Sequence, residues 1–211
     1  MDPHRGLPVV SLGPPPAESD GVVIVLHGRN AAPANALDLG RSLDRPTWTF
    51  LAPTAANRTW YPLTFLAPTE QNEPYLSSAL SSVDRLVREV LNDGIRAERI
   101  VMMGFSQGAC LATEFVYRNP RRYGGLVAFS GGLIGPPGTA WNSSASFRAM
   151  PVFLGCSDVD AHVPKVRVNE TAQVFDRLHA MVDERIYPGM GHLVIDDEIE
   201  AARAILDAIA R

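Results

Sequence analysis

The amino-acid sequence predicts an α/β three-layer sandwich, a mainly parallel sheet with helices on both faces, in one domain over residues 1–211. Three observations carry this. Short apolar runs alternate with longer amphipathic stretches along the whole chain. Several of the runs, residues 21–26 foremost, are almost continuously apolar, as strands buried on both faces are. At residues 100–112 an apolar run passes through Gly104-Phe105-Ser106-Gln107-Gly108 straight into a helical pattern, so that strand, sharp turn and helix follow one another. No break in composition marks a second domain.

The elements follow in order. Residues 7–12 read as an edge strand, ended by Pro14-Pro15-Pro16, which cannot supply ladder N–H groups. Residues 21–26 form a buried strand, and His27-Gly28-Arg29-Asn30 lies at its carboxyl end, where open α/β sheets place their ligands. Residues 31–43 have helical character and 48–52 form the next strand. Residues 53–73 are a long loop rich in proline and aromatics; its length points to function, and its aromatics argue against disorder. The spacing of Leu76, Leu80, Val83, Val87 and Val90 predicts an amphipathic helix over 74–93, stopped by Asn92-Asp93-Gly94. The strand at 100–103 and the helix at 107–119 flank the G-x-S-x-G turn. Further strands are expected at 125–129, 152–155 and 184–187, with a second long loop at 130–150 and helices at 166–181 and 196–210.

Composition narrows the function. Hydrophobic residues make up 46% of the 211 and charged residues 20%, an ordinary globular balance. Nineteen basic against 23 acidic residues give a net charge of −4, which excludes a strongly basic nucleic-acid binder and offers nothing to an anionic membrane. No apolar run is long enough to span a bilayer, and residues 1–6 lack the layout of a signal peptide. Cys110 and Cys156 fall in or beside core elements and read as buried free thiols, which suggests a cytoplasmic setting. There is no metal-type Cys/His spacing, so neither metal nor cofactor is expected.

The turn forces its serine into a strained conformation, with glycines letting strand and helix approach. A serine hydroxyl is a weak nucleophile and needs a base and an oxyanion site. Of the five histidines, His4 reads as part of a mobile terminus and His179 as a surface position within a helix. His27 precedes a glycine and suggests an oxyanion loop, and His162 lies in a loop after a strand. His192, in Pro188-Gly189-Met190-Gly191-His192 after the last strand, is the candidate base. The orienting acid should follow the strand at 152–155, where both Asp158 and Asp160 qualify.

These residues resemble the carboxylesterase/phospholipase family of α/β-hydrolases, the group that includes acyl-protein thioesterases. Four motifs carry the resemblance: Leu26-His27-Gly28-Arg29, Gly104-Phe105-Ser106-Gln107-Gly108-Ala109, Asp160 with Val163-Pro164, and Gly189-Met190-Gly191-His192. They span nearly the whole chain and imply an α/β-hydrolase fold without a large cap. The family's acid sits four positions before the proline of a D-P-x-V-P block, which corresponds to Asp160; Asp158 is the fallback. Ala161 replaces the usual proline, Ser157 stands where glycine is common, and Asn30 replaces a glycine at a turn whose left-handed geometry asparagine tolerates. The resemblance implies backbone N–H groups of Arg29 and Gln107 as oxyanion donors, and allows a homodimer.

The implied activity is serine carboxylic-ester hydrolysis on a small-molecule ester. Without a cap, the pocket must come from loops, with Trp60, Tyr61, Phe65 and Leu66 from the first and Leu133 and Ile134 from the second as candidates. A mostly neutral aromatic lining suits short- to medium-chain esters. An acyl-protein thioesterase or lysophospholipase is the alternative, and a ligand-binding protein on the same fold a third reading that has no need of serine, histidine and aspartate together. A dienelactone-hydrolase-like enzyme would carry cysteine at position 106, and the glycine spacing of a dinucleotide fingerprint is missing.

Overall fold

The computed structural model describes residues 2–210; Met1 and Arg211, the ends of the range read as one domain, lie outside the described residues. Seven strands form one sheet: β1 (Val9–Leu12), β2 (Val22–Leu26), β3 (Thr49–Pro53), β4 (Ile100–Phe105), β5 (Gly125–Phe129), β6 (Pro151–Ser157) and β7 (Met181–Tyr187). Their spatial order is β1-β3-β2-β4-β5-β6-β7. Only β1 runs antiparallel to its neighbour; the other pairings are parallel. Among the described residues the α-helices are α1 (Pro33–Ser42), α2 (Tyr75–Asn92), α3 (Gln107–Arg118), α4 (Lys165–Arg177) and α5 (Asp196–Ala210). This is the α/β-hydrolase fold that the sequence predicts.

The period-2 geometry of the strands splits the core into two layers. Val22, Ile24 and Leu26 of β2, with Ile100 and Met102 of β4, face α2, α3 and α4. Val23, Val25, Val101 and Met103 face α1 and α5. That is why these strands read as unbroken apolar runs. The sheet edges are blunted differently: β1 is four residues long, and β7 carries Asp183, Glu184 and Arg185. The long connections over residues 54–74 and 130–150 add two short 3₁₀ turns, Ala56–Arg58 and Thr69–Asn72, but no further strand or α-helix among the described residues. No described helix is long and apolar enough to cross a membrane.

The boundary between the fourth helix and the last strand, expected at 184–187, differs from expectation. The helix predicted over 166–181 stops at Arg177, because Met181 is drawn into the sheet opposite Pro151. His179 therefore lies beyond the helix at a left-handed φ of 61°. Its N–H caps Asp176 O and its own carbonyl accepts from Ala149 N, which fixes the turn.

A buried carboxyl supports the end of β6. Glu198, in the first turn of α5, is fully buried and fills the space that the missing side chain of Gly155 leaves, where a Cβ would lie 2.1 Å from Oε1. Its Oε2 accepts from Ile195 N at 3.0 Å, while Oε1 has no hydrogen-bond partner. Burial pushes its pKa up to about 7. A carboxyl whose folded pKa is raised weakens the fold as pH climbs above its unfolded value near 4.5, and the full penalty is present above about 7. Glu198→Gln should therefore stabilise the protein at pH 8 by at most about 3 kcal/mol and leave it nearly unchanged at pH 4.5. Thermal denaturation at the two pH values checks this; an equal shift at both would contradict it.

Candidate active site

Ser106 joins β4 to α3 at φ 56°, ψ −122°, a conformation that costs energy for any residue with a Cβ. The surrounding crowding holds it there. A Cβ on Gly104 would lie 2.5 Å from the Gly108 carbonyl, and one on Gly108 would lie 2.0 Å from Leu26 O. Both glycines are thus required for β4, α3 and the end of β2 to meet. Ser106 N donates to Phe129 O at 2.9 Å and Ser106 O accepts from Cys110 N at 3.0 Å. The Gln107 N–H beside it opens α3, where an N–H has no acceptor within the helix and the dipole end is positive.

His192 lies against the serine. Its Nε2 is 2.9 Å from Ser106 Oγ, and its Nδ1 is 2.6 Å from Asp160 Oδ2. Asp160 is fully buried in its side chain, and its Oδ1 accepts from His162 N at 2.8 Å and Val163 N at 2.9 Å. The Cys156 thiol donates weakly to Oδ2 at 3.8 Å. Burial alone would raise the Asp160 pKa, but the hydrogen bonds from His192, His162 and Val163 outweigh it and hold the carboxyl below its usual range. Asp158 does a different job: its Oδ1 accepts from Gly189 N at 2.8 Å, and Ser157 Oγ accepts from Gly191 N at 3.1 Å. Together they hold the loop that carries His192. The imidazole is flanked by Phe105 and His162, each with its ring centroid 4.8 Å away.

These groups open onto a cleft of about 500 Å³. Of the residues expected to shape it, Tyr61 and Phe65 line it, and Arg29 and Gln107, read as oxyanion donors, border it as well. Trp60, Leu66, Leu133 and Ile134 do not. Trp60 is fully buried, its indole N–H donating to His27 O at 2.8 Å. Leu66 packs half-buried on the core. Leu133 and Ile134 belong to the core, and their N–H groups donate to Thr171 Oγ1 and Glu114 Oε2. Their apolar side chains are taken up by packing rather than by the cleft. The exposed Arg29 side chain donates to the carbonyls of Tyr61, Pro62 and Leu63. Asn30 adopts the left-handed φ of 63° expected of it.

The cleft also takes in Leu63, Phe105, Cys110, His162 and Val163, which sequence reasoning missed. His162 and Val163 had a signal, since they lie two and three positions after Asp160 and donate to it. His4, read as mobile, is instead fully buried. Its Nε2 donates to Trp60 O at 3.0 Å, its Nδ1 accepts from Ala56 N at 3.0 Å, and its backbone N–H donates to Ser78 Oγ at 2.9 Å. His27 is held likewise, Nδ1 donating to Gly28 O and Nε2 accepting from Ala55 N. Both rings pin the first long loop to the body. No group of three or more described His, Cys, Asp or Glu residues has an arrangement that could hold a metal ion. Cys110 and Cys156 are buried free thiols.

Comparison with known proteins agrees with this architecture. Residues 11–210 match a family model described as phospholipase/carboxylesterase. A phospholipase/carboxylesterase structure from Dyadobacter fermentans is 39% identical, covers 98% of each chain and superposes with a TM-score of 0.92. Acyl-protein thioesterase 1 of Saccharomyces cerevisiae is 31% identical over 126 residues, 58% of this chain. The match spans 55% of that relative, little more than half its length. A carboxylesterase structure from Bacillus cereus shares the fold, with a TM-score of 0.78 at 18% identity.

Burial lowers the pKa of both His4 and His27, and their hydrogen bonds to backbone carbonyls offset this only in part. A histidine whose folded pKa is lowered resists protonation in the native state, so stability is lost as pH falls below the unfolded value near 6.5. His4→Gln should flatten the acid limb of a stability-versus-pH curve between about pH 6.5 and 5. An unchanged slope in denaturant titrations would show that His4 takes no part in it.

Proposed function

The chain belongs to the phospholipase/carboxylesterase family, and we propose that it is a serine carboxylic-ester hydrolase working through Ser106, His192 and Asp160. The observation that carries this reading is the unbroken relay of 2.9 Å from Ser106 to His192 and 2.6 Å from His192 to Asp160. His192 Nε2 takes the Ser106 proton as Oγ attacks the acyl carbonyl carbon. Asp160 holds Nδ1–H, selecting the tautomer whose Nε2 is free to accept, and supports the imidazolium. The N–H groups of Arg29 and Gln107 receive the oxyanion. His192 then returns the proton to the leaving oxygen, the C–O bond breaks, and an acyl-Ser106 ester remains. Water, losing its proton to His192, attacks that ester; the bond from the acyl carbon to Ser106 Oγ breaks, His192 returns the proton to Oγ, and the acid leaves with the serine restored. The chemistry uses side chains and backbone N–H groups alone, in a domain taken as residues 1–211 and a cytoplasmic setting.

The substrate read from the cleft is a small uncharged ester with a short to medium acyl chain. A volume of about 500 Å³ shared by acyl and leaving groups accommodates such a molecule. The Arg29 guanidinium spends three N–H donations on the carbonyls of Tyr61, Pro62 and Leu63. A second reading, hydrolysis of acyl thioesters on proteins, draws on the similarity to the yeast acyl-protein thioesterase.

Hydrolysis of p-nitrophenyl esters over a ladder of acyl lengths tests both. Turnover should fall beyond medium chains and drop below detection in Ser106→Ala with the fold intact. Rates that keep rising with length would favour the thioesterase reading, and no turnover on any ester by folded protein would overturn the hydrolase. On the best ester, Asp160→Asn should lose roughly 10⁴-fold in kcat. Asp158→Asn, which touches only the Gly189 N–H, should lose less than about tenfold. The reverse ranking would reassign the acid.

A further inference from the structure

The two residues read as oxyanion donors are tied together through a third. Gln107 Nε2 donates to Tyr61 O at 2.8 Å, and Arg29 Nη2 donates to the same oxygen at 3.1 Å. Arg29 arrives from the loop after β2, and Gln107 from the first turn of α3. One carbonyl of a third segment thus bridges both halves of the site. The bridge is reinforced at each end. Arg29 also donates to Pro62 O at 2.8 Å and Leu63 O at 2.5 Å. Gln107 Oε1 accepts from Trp60 N at 3.0 Å and from Thr59 Oγ1 at 3.2 Å, so its amide is used at both atoms. Tyr61 itself is held by its fully buried ring and, through Trp60, by His27 and His4.

We infer that the Arg29 side chain is a positioning residue: by gripping Tyr61 O, which Gln107 also grips, it sets the spacing between the backbone N–H groups of Arg29 and Gln107. The inference rests on the hydrolase reading and names how its oxyanion site is kept preorganised. The backbone N–H of Arg29 lies between Gly28 and the left-handed Asn30, on a segment held locally by Asn30 N to Arg58 O, Ala31 N to Gly28 O and the His27 ring on Gly28 O. A planar guanidinium holds its donors in a fixed fork that spans three successive carbonyls; an ammonium has three rotatable donors on one atom and holds them less rigidly. A donor displaced by even a fraction of an ångström loses much of its value in the transition state while the ground-state ester binds as before.

The test is steady-state kinetics of Arg29→Met and Arg29→Lys on acetate, butyrate and octanoate p-nitrophenyl esters. Each variant is checked for near-UV circular dichroism and for loss of turnover on adding Ser106→Ala. Both variants should lose about 10- to 100-fold in kcat by the same factor at every chain length, with KM changed less than about twofold. Affinity for a trifluoromethyl ketone, whose adduct carries the oxyanion, should fall by the same factor. A KM change that grows with chain length at constant kcat would reduce Arg29 to a wall of the pocket and overturn the inference, as would unchanged kinetics. Turnover that survives Ser106→Ala would instead strike the hydrolase reading itself. If Arg29→Met does not fold, Gln107→Leu cuts the other end of the bridge and should give the same kcat-only loss.

Discussion

The crowding of backbone around Gly108 is the constraint on which the rest of the site depends. The start of α3 lies so close to the end of β2 that a single Cβ at position 108 would sit 2.0 Å from Leu26 O. That approach brings the loop after β2, with Gly28 and Arg29, alongside the first turn of α3. It also forces Ser106 into its strained turn at φ 56° and so out of the sheet's carboxyl edge. The buried parallel strands on either side meet the cost, since β4 is hydrogen-bonded between β2 and β5 along its length. The strain is local and its support is the whole central sheet.

Around that fixed point the chain spends buried polar groups on holding loops still. Gln107 uses both ends of its amide on the segment from Thr59 to Tyr61, His4 uses both ring nitrogens on Ala56 and Trp60, and His27 links Ala55 N to Gly28 O. Asp158 and Ser157 hold the glycine-rich loop of His192, and Asp160 is shaped by two backbone N–H groups before it meets the imidazole. Each such group would be costly if left unpaired away from water. Paired, they turn three flexible connections into one rigid face, which is what a site that must stabilise developing charge requires.

How much of this is legible in the sequence follows from the range of the forces involved. The strands declare themselves because burial on both faces demands unbroken apolar runs, and α2 because its apolar spacing is local. Ser106 and His192 are legible because strand-end position and glycine punctuation constrain them. Boundaries are less so: Met181 reads as the end of a helix, but pairing with Pro151, thirty positions away in number, places it in a strand. The aromatics of the first loop all look alike in sequence. Trp60 and Tyr61 are neighbours, yet the indole N–H of one finds His27 O and turns away from the cleft, while the other lines it. His4 has no periodicity to betray it; its partners lie 52 to 74 residues away. Asp158 and Asp160 differ only in how the loop after β6 turns, which composition does not encode.

The claim at the centre of the account is that Ser106 is an activated nucleophile. The most direct measurement is intact-mass and peptide mapping after exposure to a fluorophosphonate, which phosphonylates a serine only where a base has made its oxygen nucleophilic. The account predicts one adduct per chain, on the peptide carrying Ser106, and its loss in His192→Ala with the fold retained. No adduct on folded wild-type protein, or labelling at another residue, would contradict it.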